Sequence, residues 1–506
     1  MFVIKVILFT FIWTQGNAYN ILCLLPYPGK SHYLVFEPLL QELQSRGHNL
    51  TVVSFFPAQP QKNRRDVDLR SLAPLNLEIV DLRNFDYSFF WLEKYFEHVP
   101  LITGLAMTQL QLCKLILDSK MFAEFVAGKG DYDLIIVEHF NSDCMLGIIH
   151  NYGLPSVGLM STSMLPWTPH RVGATDNPAY VPEMMMPFTS EMTFFERLQN
   201  TISHYFYLWW YEVMIRWEEQ RILEKKLGRR LPKLENVGKN TSVVLMNTHH
   251  VLNGVRSLPP SVVEVGGIHL HNKKLRPLKP PELISKLRRT WPLRQFWVRG
   301  STLPDVRLRA ILNVFARLPQ RVVWKWESDL IDAPDNIFVM KWLPQYDLLR
   351  HNNCVAFITH AGLLSLTEAV SAGVPVLAIP ILGDQYGNAA HAERAGVARV
   401  LRLQDLDEDT LSENLRMVLT SEMRDRAKFI SHLWKDRLQD PMETAIFHIE
   451  RTARHKGLDM STHARWLTAW ELALLDVFLF IIGISLAVFI IIKNVLKSWH
   501  RKEKQC

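Results

Sequence analysis

Residues 338–396 read FVMKWLPQYDLLRHNNCVAFITHAGLLSLTEAVSAGVPVLAIPILGDQYGNAAHAERAG. The pattern predicts strand, loop, strand, helix, strand, loop and helix in succession. Val355 to Thr359 is an apolar run that gives way at His360-Ala361-Gly362 to a helix-compatible segment, which puts free backbone N–H groups and an imidazole where an anion can dock. Val374 to Ile381 is rich in β-branched residues, as expected of a strand buried on both faces of a parallel sheet, and it delivers Asp384 and Gln385 at its carboxyl end. Polar groups at that position face a ligand crevice.

Working outward, W-L-P-Q, T-H-A-G, E-A-V, G-V-P and D-Q occur in this order over this span, and together they resemble the signature of the UDP-glycosyltransferases, in wording closest to the membrane-bound insect members. The resemblance covers nearly the whole chain. It implies an α/β architecture of two Rossmann-like domains facing each other, the GT-B glycosyltransferase fold, with a C-terminal transmembrane helix. It further implies that Trp342 stacks on uracil, Gln345 bonds the base or ribose, Glu368 takes the ribose hydroxyls, His360 and Gly362 face the diphosphate, and Asp384 with Gln385 holds the sugar. Residue types agree with these roles: a ring offers a π-face, a carboxylate accepts two hydroxyl protons, and an imidazole beside a helix N-terminus neutralises an anion without a metal. No cofactor and no metal is expected, only UDP-sugar as co-substrate. Ala361 departs from the family, where many members have glycine.

The first half opens in the same style. Ile21 to Leu25 is a strand, Pro26 to His32 a loop, and a helix carries the chain to Arg46-Gly47-His48 before the strand Thr51 to Phe55. The loop lacks G-x-G-x-x-G, which argues against a dinucleotide-dependent oxidoreductase. His32 stands at the mouth of this strand-to-helix turn, and an imidazole with an ordinary pKa near 6.5 suits a base that takes a proton from an acceptor hydroxyl. The resemblance places the catalytic base at this position. A carboxylate on the far ring nitrogen would fix its tautomer. Counting from the strand Asp133 to Val137 points to Glu138, whereas the N-S-D-C wording points to Asp143, which is preferred; either could instead cap a helix.

Composition sets the outer bounds. A chain of 506 residues exceeds one core, and 48% hydrophobic with 21% charged residues fits a globular protein with a membrane component. The net charge of +7 comes without a basic stripe interleaved with aromatics, so nucleic acid is not an expected partner. Self-association is left open. Five cysteines, at 23, 113, 144, 354 and 506, are too irregularly spaced for a zinc site or a disulfide framework and read as small buried hydrophobes, the tail one excepted.

The domain plan is a signal peptide over 1–18, an acceptor domain over 19–265, a UDP-sugar domain over 266–460, a transmembrane helix over 472–492 and a basic cytosolic tail over 493–506. Lys273 to Pro281 reads as a linker, Pro166 to Pro187 as an acceptor lid, and Tyr205 to Trp217 as ordinary helix core. Lys502 and Lys504 resemble a dilysine retrieval signal. With the acceptor triplets at Asn49 and Asn240 they imply an endoplasmic reticulum membrane protein crossing once, its domains lumenal. The expected activity is inverting transfer of a hexose, glucose by resemblance, to a small lipophilic hydroxyl compound, as in detoxification.

One stretch breaks the pattern. Residues 281–304 should supply the central strand of the second sheet, ending in Gly-Ser. Arg288, Arg289, Pro292 and Arg294 interrupt it, and Gly300-Ser301 runs directly into Thr302-Leu303-Pro304. By this reading no buried central strand forms here, and a catalytically inactive lumenal binding paralogue becomes the alternative.

Overall fold

The computed structural model describes residues 18–73, 98–128, 130–273, 293–297, 303–326, 333–341 and 343–503. The signal peptide, most of the linker, Gly300-Ser301 and Trp342 fall outside them.

Two parallel sheets organise the chain. The first contains β1 (Asn20–Leu25), β2 (Asn49–Ser54), β3 (Arg64–Asp68), β4 (Leu134–Glu138), β5 (Ser156–Met160), β6 (Thr241–Met246) and β7 (Val262–Glu264), in the spatial order β3-β2-β1-β4-β5-β6-β7. The second contains β8 (Leu293–Trp297), β9 (Arg321–Lys325), β10 (Ile337–Met340), β11 (Cys354–Thr359), β12 (Val376–Ala378) and β13 (Ala398–Val400), in the order β10-β9-β8-β11-β12-β13. In each sheet the strand order reverses once, between β1 and β4 and between β8 and β11. Loops diverge at such a point and open a crevice beyond the strand carboxyl ends.

The strands read as sequence pattern dictates. Ile21 to Leu24 and Leu134 to Ile136 have no exposed surface, because helices cover both faces of the sheet. β12 is shorter than the apolar run that contains it. Pro375 and Pro380 flank it, and a residue without an N–H cannot extend the ladder. The helix Leu363–Ala372 ends at Gly373 with φ 70°, the left-handed cap that glycine adopts at least cost. The helix Pro441–Arg454 returns to the first sheet. Its Met442, Ala445, Ile446 and Ile449 share one core with Ile21, Val52, Leu134 and Val243, so the chain's late helix holds its two halves together.

Two expectations are corrected. Leu293–Trp297 does form the central strand of the second sheet, pairing Phe296 with Ile358 of β11 on one side and with Trp324 of β9 on the other. The interruptions lie mostly outside the pairing segment: Arg288, Arg289 and Pro292 all precede it in the sequence. Only Arg294 lies within the five residues. Cysteine spacing also misled. Cys113 and Cys144 form a disulfide with Cα atoms 5.9 Å apart, tying the helix His98–Asp118 to the helix Cys144–Tyr152. A bridge between two helices leaves no spacing signature, since tertiary packing alone brings them together.

Candidate active site

β1 and β4 are parallel neighbours, so the loop leaving β1 and the residue ending β4 emerge at one edge of the sheet. His32 lies in the first turn of the helix Lys30–Ser45, and Glu138 is the last residue of β4. His32 Nδ1 lies 2.8 Å from Glu138 Oε1, with both side chains nearly buried. Tyr27 and Phe140 flank the imidazole at 4.4 and 4.3 Å between centroids. Ser161, just beyond β5, brings its hydroxyl to 2.7 Å from the same nitrogen. A carboxylate accepts only, so the pairing puts the proton on Nδ1 and makes Nε2 the basic nitrogen.

Asp143, the preferred partner, is elsewhere. Its carboxylate is buried and bonds Arg171 through one oxygen and Arg216 Nε, at 2.9 Å, through the other. Burial works to raise this carboxyl, but the two guanidiniums outweigh it and hold the group well below the usual range. Asp143 occupies the N-cap position of the helix Cys144–Tyr152 without capping it through its side chain. It is five residues past the strand, and Glu219 receives its backbone N–H at 2.6 Å. Glu219 also accepts from Ser142 at 2.5 Å, and burial, followed by the neighbouring Asp143 charge, pushes it up to about 8. This ionic cluster stiffens the loop behind Glu138.

The second sheet supplies the facing wall. Gln345 Nε2 donates to Glu368 Oε2 at 2.7 Å and reaches Ser365 Oγ at 3.2 Å. Lys273 Nζ donates to the other Glu368 oxygen at 2.8 Å and lies 4.9 Å over the Tyr346 ring. His360 and Gly362 stand where β11 turns into the helix Leu363–Ala372, and a Cβ at Gly362 would lie 2.6 Å from His360 Nε2. Glycine there lets the imidazole lie over the helix N-terminus. Ala361 is buried with φ 63°, so the position that favours glycine holds a strained L-residue.

Asp384 and Gln385 open the helix after β12. Gln385 Oε1 accepts the backbone N–H of Ile381 at 2.9 Å and of Leu382 at 3.1 Å, which sets the loop and turns its amide NH2 into the donor it can offer. Asp384 accepts from Asn388 at 2.8 Å. Withdrawal from water raises the Asp384 carboxyl, while Asn388 and the His32 ring act to lower it. Glycine at 387 permits close approach of the halves, since a Cβ there would stand 2.5 Å from the Met184 carbonyl oxygen.

Sequence reasoning missed Ser161, Lys273, Tyr27 and Phe140. Ser161 is one of three hydroxyl residues in a row, Ser161-Thr162-Ser163, and nothing local distinguishes it. Pro166 to Pro187 is less a free lid than a packed wall: Trp167 stacks on Tyr211 at 4.0 Å and donates to the Phe140 carbonyl at 2.9 Å, and Met184 to Met186 are buried.

Two parallel Rossmann-like units, with a carboxylate-paired imidazole at the edge of the first sheet and a helix N-terminus beside His360 in the second, define a GT-B glycosyltransferase. Solved structures agree on the fold: the calicheamicin glycosyltransferase CalG4 matches with a TM-score of 0.55 at 18% identity over 86% of this chain and 98% of that one. The glycosyltransferase VinC in complex with DTDP matches with 0.54 at 17%, over 86% and 99%. The family model described as UDP-glucoronosyl and UDP-glucosyl transferase matches residues 22–505, and the chain belongs to that family. A similar relative is UDP-glucosyltransferase 2 of Dactylopius coccus, 32% identical over 97% of this chain and 95% of its own length. Human UDP-glucuronosyltransferase 2B7 is 27% identical over 97% and 95%.

Proposed function

We propose that this enzyme transfers a hexose, glucose by its likeness to the insect relatives, from UDP-sugar to the hydroxyl of a small lipophilic acceptor with inversion. The observation that carries the reading is the His32–Glu138 pair at the first-sheet edge. His32 Nε2 takes the acceptor hydroxyl proton as the oxygen attacks the anomeric carbon. Glu138 holds the Nδ1 proton and stabilises the imidazolium that forms. The bond from the anomeric carbon to UDP breaks on the opposite face, and the departing diphosphate charge meets His360 and the helix start at Leu363. Asp384 and Gln385 hold the sugar hydroxyls, Glu368 and Gln345 the ribose and base, and Trp342 the uracil face. No metal is required in this scheme, because the His360 imidazole and the helix N-terminus of the chain meet the anion.

The apolar helix Leu475–Lys497, with mean hydropathy 2.9, is long enough to cross a bilayer and anchors the enzyme. The basic residues after it put the tail in the cytosol and the catalytic halves in the endoplasmic reticulum lumen. Asn49 and Asn240 are exposed, which suits lumenal glycosylation and a detoxifying role. The inactive-paralogue alternative rested on a missing central strand, and β8 removes that ground.

His32→Ala tests the scheme. Transfer from UDP-glucose to a phenolic acceptor is expected to fall by about 10²–10⁴-fold, the usual worth of a positioned base. UDP affinity by titration should stay near that of the unaltered chain. Transfer near the original rate would refute the assignment of the base.

A further inference from the structure

The segment that ends the first half runs directly into the wall built by Glu368. Ile268 packs in the first-half core with Val243 and Ile446, while Leu270, two residues on, rests against the second-half core of Phe357 and Leu366. Arg437 donates to the Gly266 carbonyl at 2.7 Å, and His271 Nδ1 lies 3.2 Å from Asp440, the cap of the helix Pro441–Arg454. Lys273 donates its backbone N–H to the Leu270 carbonyl at 3.2 Å. These contacts tie the stretch before Lys273 to both halves, so its side chain starts from a fixed point. Less freedom is then lost when its ammonium meets a ligand.

That side chain ends on Glu368. Lys273 Nζ donates to one carboxylate oxygen at 2.8 Å and Gln345 Nε2 to the other at 2.7 Å. The Glu368 side chain is 9% exposed and that of Lys273 42%, so the ammonium is the member of the pair that still meets water. Nζ also lies 4.9 Å over the buried Tyr346 ring. Beside this pair, Gln345 Oε1 is buried without a hydrogen-bond partner among the described residues. A buried acceptor of that kind is ordinarily met by a donor, here one that the described chain does not supply. An ammonium has three donors and a carboxylate about four acceptor sites, so the bonds already made leave both with capacity for a ligand.

The opposite charges largely cancel, which weakens the attraction of the pair for a bare anion. What a neighbouring ammonium and carboxylate match is a group that accepts from one and donates to the other, and a hydroxyl does both. We propose that Lys273 is a further donor-site residue that, with Glu368, reads the vicinal hydroxyls of the nucleotide ribose. The ammonium donates to a hydroxyl oxygen while the carboxylate accepts a hydroxyl proton. This rests on Glu368 holding the ribose, as proposed above, and adds to it a residue carried by the end of the first half. A nucleotide without these hydroxyls leaves charged groups of the site unpaired, and a site built to bond a hydroxyl rejects such an analogue steeply.

The test uses the full chain in phosphatidylcholine nanodiscs, titrated calorimetrically with UDP and with 2′,3′-dideoxy-UDP, which differ only in the two hydroxyls. Lys273→Met keeps the stem and removes the ammonium. It is expected to weaken UDP by about tenfold or more, the usual worth of a hydrogen bond to a charged group, and dideoxy-UDP by less than about threefold. Equal losses for the two ligands would mark a general charge or folding effect and overturn the inference. Unchanged or tighter UDP binding would make Lys273 a mere occupant of the carboxylate and overturn it as well. Glu368→Gln is the control for the underlying reading and is also expected to weaken UDP selectively. If Glu368→Gln affects both ligands alike, the ribose role of Glu368 fails; a selective loss there with none at Lys273→Met sinks only the role of Lys273. Unchanged thermal midpoints confirm folding, and Lys273→Ala carries the same comparison should the Met variant not fold.

Discussion

Replacing the two competing carboxylates separately distinguishes a catalytic from an architectural role. Asp143 uses both oxygens on guanidiniums, its side chain has no exposed surface, and the Arg171 side chain is only 1% exposed. Asp143→Asn keeps the shape and removes the charge. Arg216 retains Glu212 and Glu235 as acidic neighbours, but Arg171 has Asp143 alone among its ion pairs in the described residues. Breaking a buried pair from one side costs about 3–5 kcal/mol, a large share of the roughly 5–15 kcal/mol that holds a domain folded. In a domain of this size that corresponds to a fall of about 6–20 °C in Tm. Glu138→Gln has the opposite profile. The amide oxygen can still accept from His32 Nδ1, so stability should change by no more than about 1 kcal/mol. Imidazolium stabilisation and tautomer control are lost, and transfer should fall by about 10²–10⁴-fold. The assays are urea unfolding monitored by tryptophan fluorescence, and UDP-glucose turnover, on both variants. A stable but inactive Asp143→Asn beside a fully active Glu138→Gln would refute the assignment.

Three further outcomes are expected. Glu219 has a folded pKa of about 8, above its unfolded value, so its contribution to stability is full below about pH 4.5 and is lost as pH rises to about 8; Glu219→Gln should remove that slope from stability measured across the range. Ala361→Gly relieves a left-handed L-residue and should raise stability by about 1 kcal/mol in urea unfolding, and an unchanged or lower midpoint would show the φ of 63° carries no strain. Gly387→Ala pushes a methyl to 2.5 Å from the Met184 carbonyl and should force the two halves apart, lowering turnover by at least tenfold while UDP affinity, measured by titration, holds.

Much of this protein was determined along the chain. The alternation of apolar runs with helix-compatible stretches specifies parallel strands buried on both faces, because that arrangement alone suits β-branched runs bounded by turns. His32, His360 and Asp384 stood out as candidates because a polar residue at a strand's carboxyl end or a helix's first turn has few other reasons to be there, whereas Glu368, in the second turn of its helix, was marked only by the family resemblance. Tertiary structure decided the rest. Glu138 rather than Asp143 reaches His32 because β4 is the parallel neighbour of β1, so only the residue ending the strand stands level with the imidazole. Residues 293–297 become the central strand because β9 and β11 offer ladder partners on both sides, and pairing needs only five residues free of proline. The Cys113–Cys144 bridge, the Ser161 contact and the Lys273–Glu368 pair join residues 31, 129 and 95 positions apart. No local pattern encodes such contacts, because they exist only once two elements have packed.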